Sequence, residues 1–253
     1  MQDAVERVIE TMWDRYHEPL SLEDMADTAV FSRFYFSRIF RNVTGTSPGR
    51  FLTAVRLYKA KHLLLQTSAS VTDISYQVGY NSPGTFSSRF TRSVGMSPAR
   101  FRHLSRIGMP ALTGHPTRHG QPCSIGGWLS MPATNQPMRI YVGAFESTIA
   151  QGVPASCHSL TGTGPYRLDN LPDGEWYVHA VAVAVHNLDP RPWRRRPLFM
   201  APGQVVQVSG GRPVRFDLQL RAPRLTDLPI LLALPELDGL RQAEPLSARD
   251  CAG

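Results

Sequence analysis

The sequence predicts a chain of two parts: an all-α region of about seven helices at residues 1–106 and a mainly-β sandwich at residues 125–223. Up to residue 106, short amphipathic segments begin at Ser or Thr positions that suit helix N-caps. From about residue 126, alternating and β-branched runs are separated by Gly, Pro and Asp, as in strands and turns. Residues 107–124 have the Pro, Gly and His content of a linker, and residues 224–253 are predicted to form a Leu/Pro-rich segment and a flexible tail.

Composition limits the classes of protein to which the chain can belong. Of its 253 residues, 42% are hydrophobic, which is enough for a core in each part. The formal net charge is +7, of which residues 1–106 carry +5 and the rest +2, and this favours an anionic partner. No apolar run approaches the roughly 20 residues of a membrane span, and the N-terminus does not resemble a signal peptide. We therefore expect a cytoplasmic protein without a membrane partner.

The residue types that carry catalysis or metal binding form no recognisable site. Cys123, Cys157 and Cys251 lie far apart without CxxC pairing, which argues against a zinc site or a disulfide framework. No motif of a serine hydrolase, a P-loop or a zinc protease occurs. We therefore predict no enzymatic activity, no metal and no cofactor.

Other residues of the second part have two interpretations. Four aromatic residues either pack in a core, which we favour, or line a ligand pocket: Trp128, Trp176, Tyr177 and Trp193. The basic run at residues 194–196 is either a solvated loop, which we favour, or a second nucleic-acid patch. Three histidines, His158, His179 and His186, lack metal-ligand spacing to carboxylates, so we interpret them as ordinary surface or strand residues.

The helical part repeats itself after about fifty residues. Residues 21–26 and 31–51 form a first copy, and residues 70–75 and 81–101 form a second. Ser21 and Ser70 are N-cap candidates followed by acidic residues, which the helix dipole favours in a first turn. The second helix of each copy follows Ser32 or Ser82 and ends at Gly45 or Gly95. Two short crossed helices of this kind form a helix-turn-helix unit.

A long helix at residues 48–66 is predicted to join the two copies. A rigid rod of this kind fixes the distance between them. If each second helix enters a major groove, the two sites lie roughly one turn, ~10 bp, apart on the same face of the duplex.

The second copy carries the most diagnostic residues, which lie at 71–75, 78–80, 82, 86–87, 90–92 and 95–102. With the first copy, they make residues 1–105 resemble the DNA-binding domain of the AraC/XylS family of bacterial transcription regulators. The resemblance implies a sequence-specific transcription factor, typically an activator, whose partners are double-stranded promoter DNA and RNA polymerase.

The resemblance also implies the DNA-binding residues, which in that family lie near the start of each second helix. Carried over by position, they are Arg33, Phe34, Ser37, Arg38 and Arg41 in the first copy, and Ser82, Gly84, Ser87, Ser88, Arg89 and Arg92 in the second. We expect Arg38 to contact a guanine, Phe34 to lie against a thymine methyl and Arg41 to bind phosphate. Members of the family often have longer side chains at the positions of Gly84 and Ser88. The second copy is therefore expected to make mostly phosphate contacts.

Each of these assignments has a structural alternative. The arginines would otherwise be solvated surface charges, the serines neutral spacers and Phe34 a packing residue. Four other aromatic residues are predicted to be core: Phe36, Phe40, Phe86 and Phe90.

The second part contains a strand, a turn at residues 170–174 and a second, aromatic-rich strand, which together predict a β-hairpin. About sixty residues here resemble a transthyretin-like or carboxypeptidase-regulatory-like β-sandwich, which implies a binding or structural module. We expect it to act through a small-molecule effector, through homodimer formation or through contact with another protein. Two alternatives remain: the sandwich serves assembly alone, or the helical part targets a DNA-repair enzyme. No cysteine here lies in the Pro-Cys-His setting of the related repair methyltransferases.

Overall fold

The computed structural model describes residues 1–107, 123–184 and 197–231. Within these ranges the helices are α1 Gln2–Asp14, α2 Leu22–Ala29, α3 Arg33–Thr44, α4 Pro48–Gln66, α5 Val71–Gln77, α6 Pro83–Val94 and α7 Pro98–Ile107. The strands are β1 Cys123–Ser130, β2 Met138–Phe145, β3 Ser156–Leu160, β4 Gly164–Leu171, β5 Gly174–Ala184, β6 Phe199–Val208, β7 Pro213–Arg215 and β8 Leu218–Gln219. This order confirms the predicted fold class. The predictions for residues 108–122, His186, Trp193, residues 194–196 and Cys251 lie outside the described residues.

The predicted helix caps are present in both copies. The Ser21 hydroxyl accepts a hydrogen bond from Asp24 N at 3.1 Å, and the Asp24 carboxylate accepts one from Ser21 N at 2.8 Å. Ser70 and Asp73 make the same reciprocal pair, at 3.0 and 3.2 Å. Each pair satisfies two backbone donors that the first turn of a helix leaves unpaired. These caps fix where α2 and α5 begin.

The helical region contains two hydrophobic cores that meet along α4. The first-copy core includes Phe36, Phe40 and Phe51 and receives the apolar stripe of α1. The second-copy core includes Phe86 and Phe90 with residues from the other end of α4. Both pairs of phenylalanines are fully buried, as predicted. Because α4 contributes to both cores, it joins the two copies rigidly.

The β part is a sandwich of two four-stranded sheets. One sheet has the order β4-β1-β7, with β8 also paired to β1, and the other has the order β3-β2-β5-β6. β7 and β8 run parallel to β1, and the other strand pairs are antiparallel. One core lies between the sheets; it contains Trp176, whose indole N–H donates to Pro172 O at 2.8 Å. The core interpretation is thus confirmed for Trp176. It is wrong for Trp128, which is 54% exposed because β1 directs Ile125 and Leu129, not Trp128, into the core.

The predicted β-hairpin around residues 170–174 is wrong. The turn is present, with Asn170 at a φ of 61° and Gly174 at 146°, but it connects two different sheets. β4 pairs with β1, whereas β5 pairs with β2 and β6. An alternating strand reveals which face is buried but not which strand lies beside it, and strands on opposite sides of a sandwich show the same alternation.

After β8 the chain returns to the helical region as a return segment, residues 223–231. Its base is held by Arg221, whose guanidinium makes two hydrogen bonds to the Asp227 carboxylate at 2.7 and 2.8 Å. Leu228 packs against the cores of both copies, and Leu231 is buried in the second-copy core. The return segment therefore ties the sandwich to the centre of the helical region.

Candidate DNA-binding surface

The second helix of the first copy, α3, has a basic and aromatic outer face. Arg33 and Phe34 lie in its first turn, and Phe34 is 88% exposed, so it is not a packing residue. Arg38 and Arg41 are exposed and Ser37 is half-buried. Since these residues fall into two adjacent rows, each with a spacing of four positions, they share one face of the helix.

Two of these arginines have defined neighbours. Arg33 Nη1 lies 3.8 Å from Glu23 Oε2 on α2, and because both side chains are largely exposed this ion pair is weak. The Arg38 guanidinium lies 5.3 Å from the centroid of the Tyr35 ring. Stacking of this kind orients a guanidinium while leaving its N–H donors directed elsewhere. The contact with Tyr35 therefore restricts where the Arg38 guanidinium can lie.

The second helix of the second copy, α6, has much shorter side chains on its outer face. Gly84 and Ser88 are exposed, and Ser87 is half-buried. Ser82 is the N-cap, and its hydroxyl accepts a hydrogen bond from Thr85 N at 3.4 Å. The first turn of α6 therefore presents backbone and small hydroxyl groups, which suit an anion at a helix N-terminus.

The two arginines of α6 lie further along the helix. Arg92 is exposed in its last turn. Arg89 is exposed as well, and its Nη1 lies 3.5 Å from the Thr53 hydroxyl on α4. Arg89 thus points towards the junction between the two copies. The structure places all the predicted DNA-binding residues on α3, on α6 or at the cap of α6.

Sequence reasoning missed two arginines that hold the helical region together. Arg56 of α4 donates to Tyr16 O and Glu18 O, both at 2.7 Å, and burial lowers its pKa. Arg102 of α7 donates to Leu64 O at 3.2 Å and to Ala69 O at 2.7 Å. Each fastens the loop that leads into the capped helix of one copy. In the sequence they look like any other basic residue of an amphipathic helix, so no signal distinguishes them.

The described cysteines are poorly suited to nucleophilic chemistry. The Cys123 thiol donates to Asp173 Oδ1 at 3.1 Å, and this hydrogen bond raises the pKa of the thiol. Burial raises the pKa of Cys157 on β3. A raised pKa disfavours the thiolate, which is the reactive form.

The two described histidines of the second part, His158 and His179, serve the sandwich. His158 Nδ1 accepts a hydrogen bond from Arg167 N at 2.8 Å. His179 packs edge-on against Phe145, and burial lowers its pKa to about 4, so it is neutral at physiological pH. Within the described ranges no three His, Cys, Asp or Glu side chains cluster as metal ligands would. None of the described helices combines the length and apolar character needed to cross a bilayer.

Comparisons with known proteins agree with the geometry of the helical region. Residues 25–103 match the family described as helix-turn-helix domain. The chain is 32% identical over 103 residues to the lactose operon transcription activator of Staphylococcus xylosus, a match covering 41% of this chain and 37% of that protein. It is 31% identical over 103 residues to the bifunctional transcriptional activator/DNA repair enzyme AdaA of Bacillus subtilis (strain 168), covering 41% of this chain and 49% of that protein.

One similar solved structure is the DNA-binding domain of AdpA, a global transcriptional factor, in complex with a target DNA. It is 32% identical and covers 41% of this chain and 93% of that chain, with a TM-score of 0.40. The chain spans less than half the length of the two curated relatives described above. Residues 25–103 form an AraC-type helix-turn-helix domain, which confirms the resemblance inferred for this part of the sequence. The transthyretin-like resemblance of the sandwich stays a prediction.

Proposed function

We propose that the protein is a cytoplasmic, sequence-specific transcription regulator that reads two adjacent major grooves with α3 and α6 and is modulated by its β-sandwich. The observation that carries this proposal is the pair of helix-turn-helix copies joined by one continuous helix, α4, with an exposed basic second helix in each copy. A helix of 19 residues spans about 28 Å. That length is close to the ~34 Å turn of B-DNA that separates two grooves on one face.

In this proposal α3 supplies most of the base readout. Arg38 makes the bidentate contact to O6 and N7 of a guanine, because its stacked guanidinium is planar and oriented. Phe34 lies against a thymine methyl, since a side chain with 88% exposure on a DNA-facing helix gains from apolar contact. Arg33 and Ser37 contact base edges or the adjacent backbone, and Arg41 binds phosphate.

The second helix, α6, supplies mainly backbone contacts. Gly84, Ser87 and Ser88 are too short to reach far into the groove, but they let the helix approach closely. The N–H of Gly84 faces a phosphate at the helix N-terminus, since Pro83 has no N–H and the Thr85 N–H donates to the Ser82 cap. Arg89 and Arg92 add positive charge along the same strand. Such contacts fix the register of the protein on DNA without specifying sequence.

The β-sandwich contacts the second copy directly, and the return segment that follows it contacts both copies, which supports a regulatory role. Gly152, in the β2–β3 loop, donates its N–H to Ser93 O at the end of α6, at 2.8 Å. The approach is close, since a Cβ on Gly95 would lie 3.4 Å from Gly152 O. The return segment reaches the cores of both copies. We propose that a small-molecule effector or a homodimer acts through these contacts, and that the regulator contacts RNA polymerase as an activator.

Two alternatives are weaker. A DNA-repair activity, as in the name of the Bacillus subtilis relative, would need an activated cysteine, but both cysteines of the described residues, Cys123 and Cys157, have a raised pKa. If the sandwich served assembly alone, the contact of Gly152 with Ser93 and the packing of the return segment in the second-copy core would have no regulatory role. A molar mass that rises with concentration, together with DNA binding insensitive to any ligand, would favour that alternative.

The proposal is tested by competition binding with the full-length protein at physiological salt. Fluorescently labelled DNA from the region upstream of its own coding sequence is competed with the same unlabelled DNA or with a scrambled sequence of equal composition. We expect the specific competitor to be effective at a concentration about 10³-fold lower than the scrambled one. Equal competition by both would contradict sequence-specific regulation.

A further inference from the structure

A cavity of about 670 Å³ lies where the helical region, the sandwich and the return segment meet. Cavities that hold drug-sized molecules measure roughly 300–1,000 Å³. Packing defects between well-packed elements are far smaller, because protein interiors have few voids larger than a water molecule. The size of this cavity therefore matches a ligand site.

The helical wall of the cavity is aromatic. Trp13 of α1 and Tyr58 of α4 contact each other edge to face, with ring centroids 5.5 Å apart. His62 lies one turn beyond Tyr58, with ring centroids 4.4 Å apart. The rings of three residues thus form one continuous surface. An aromatic ligand would stack or pack edge-on here with a geometry that such rings favour.

The opposite wall is aliphatic. Val181 and Met200 are register partners on β5 and β6, and with Val183 they line the cavity from the outer face of the sheet. The return segment completes the wall with side chains that include Leu225 and Leu228. Val181, Val183 and Met200 are all buried, so the return segment forms part of the cover of this sheet face.

Charged groups at the cavity balance each other. Glu10 and Asp14 of α1 are opposed by Lys59 and Arg224. The Lys59 ammonium lies 5.4 Å from the centroid of the Trp13 ring and 5.0 Å from that of Tyr16, over the aromatic faces. Asp227 is already paired with Arg221. No single sign of charge dominates the wall. A charged ligand would therefore lose its hydration on entering the cavity without an excess of opposite charge to compensate.

We propose that this cavity binds an uncharged small molecule with an aromatic ring, and that its occupancy alters DNA binding. The ligand touches α1, α4 and the return segment together, and Leu228 of that segment packs against the cores of both copies. Lys61 of α4 is 1% exposed, and its ammonium donates to Ile230 O at 3.3 Å, which fixes the segment to the helix between the copies. The effect on DNA rests on the proposed function, whereas ligand binding does not.

The test uses two fluorescent probes that differ by one sulfonate. N-phenyl-1-naphthylamine is uncharged and aromatic, and 1-anilinonaphthalene-8-sulfonate is its anionic analogue. We expect the uncharged probe to bind the full-length protein saturably at one site, with a dissociation constant on the order of 10 µM. The anionic probe is expected to bind about tenfold more weakly. Unsaturable binding, or tighter binding of the anion, would overturn the proposed ligand class.

A matched pair of variants locates the site. Leu225 lines the cavity and is 39% exposed, so Leu225→Trp fills the space with little disturbance of the fold. Val205→Trp introduces the same side chain on β6, at a residue that is 51% exposed and does not line the cavity. Leu225→Trp should reduce probe affinity at least tenfold, and Val205→Trp should leave it unchanged. Equal affinities in the two variants, with matching thermal unfolding curves, would place the probe elsewhere.

The last arm measures DNA affinity with and without saturating uncharged probe. We expect saturating probe to change DNA affinity by about fivefold or more. Because coupling is reciprocal, bound DNA should change probe affinity by the same factor. Probe binding without any change in DNA affinity would contradict the proposed coupling to DNA but not the proposed ligand site. Probe binding in a protein that shows no DNA preference would contradict the proposed function but not the site.

Discussion

The two helix-turn-helix copies have the same caps and helices but present different chemistry to the solvent. In the first copy, α3 exposes Phe34 and Arg38; the corresponding positions in α6 are Gly84 and Ser88. The buried residues correspond much more closely, since Phe36 and Phe40 match Phe86 and Phe90. Core packing requires the same shapes in both copies, whereas the outer face is free to change. This difference supports the proposed division of roles, in which the first copy reads the sequence and the second fixes the position of the protein on DNA.

The turns between the two helices of each copy differ as well. Val30 and Gly79 occupy equivalent positions and both have left-handed backbones, with φ of 60° and 83°. Val30 is 82% exposed and has room for its side chain. At Gly79 a Cβ would lie 2.8 Å from His17 O and 3.0 Å from Tyr16 O. The second turn is packed against the loop after α1, so it requires glycine for space as well as for conformation.

The largest effect on stability is expected from Gly79→Ala. The new Cβ would meet two backbone carbonyls in a conformation that already disfavours alanine, which together cost about 2–4 kcal/mol of unfolding free energy. Urea unfolding followed by far-UV circular dichroism measures the change. The control is Gly49→Ala on α4, where a Cβ meets no atom within 4 Å and alanine is expected to be neutral or slightly stabilising. An unchanged stability of Gly79→Ala would show that the second turn is as open as the first.

Arg38→Ala tests the division between the copies most directly by mutation. Loss of a bidentate guanine contact should cost about 1–3 kcal/mol of DNA binding and relax specificity at one base. Ser88→Ala changes the corresponding position of the second copy and should cost less than about 0.5 kcal/mol, as is usual for a surface substitution. Fluorescence anisotropy with the specific site and its single-base variants measures both. A larger loss for Ser88→Ala would reverse the roles assigned to the copies.

Val30→Gly should stabilise the protein. Removing a β-branched side chain from a left-handed position relieves strain, partly offset by the greater freedom of glycine in the unfolded chain, for a net gain of about 0.5–1 kcal/mol. The same urea titration measures it. DNA affinity serves as the control and should not change. A loss of stability would mean that exposed Val30 makes contacts that outweigh its backbone strain.

Arg92→Ala is expected to reduce DNA affinity less than Arg38→Ala does. Losing one phosphate contact should weaken binding to all sequences equally, and the slope of log affinity against log salt should fall by about 0.9. Titrations at several salt concentrations with specific and scrambled DNA measure this. If Arg92→Ala weakened only the specific sequence, α6 would be reading bases, contrary to the comparison above.

Much of the helical region could be predicted because its signals are local. Ser21 with Asp24, and Ser70 with Asp73, mark helix starts through contacts between residues three positions apart. Gly45 and Gly95 mark helix ends through their left-handed backbones. The face of each candidate DNA-binding residue follows from the 3.6-residue period once the helix start is known.

The parts that could not be predicted depend on contacts between residues distant in sequence. The turn at residues 170–174 was recognised, but the assignment of β4 and β5 to different sheets depends on β1 and β2. The packing of Leu228 and Leu231 into the helical cores was not predicted. A Leu/Pro-rich stretch has no regular hydrophobic period, and its sequence does not indicate which element it packs against. Arg56 was missed for the same reason, since its carbonyl partners lie about forty residues away.

Selection of binding sites from a random DNA library, with the full-length protein at physiological salt, separates the roles of the two copies in one experiment. We expect an enriched motif with one strongly specified block, containing a guanine that Arg38→Ala no longer selects. A second block should lie about 10 bp away, with weak base preference. Two equally specified blocks, or a strong block whose preferences are unaffected by Arg38→Ala, would contradict the division of reading and positioning between the two copies.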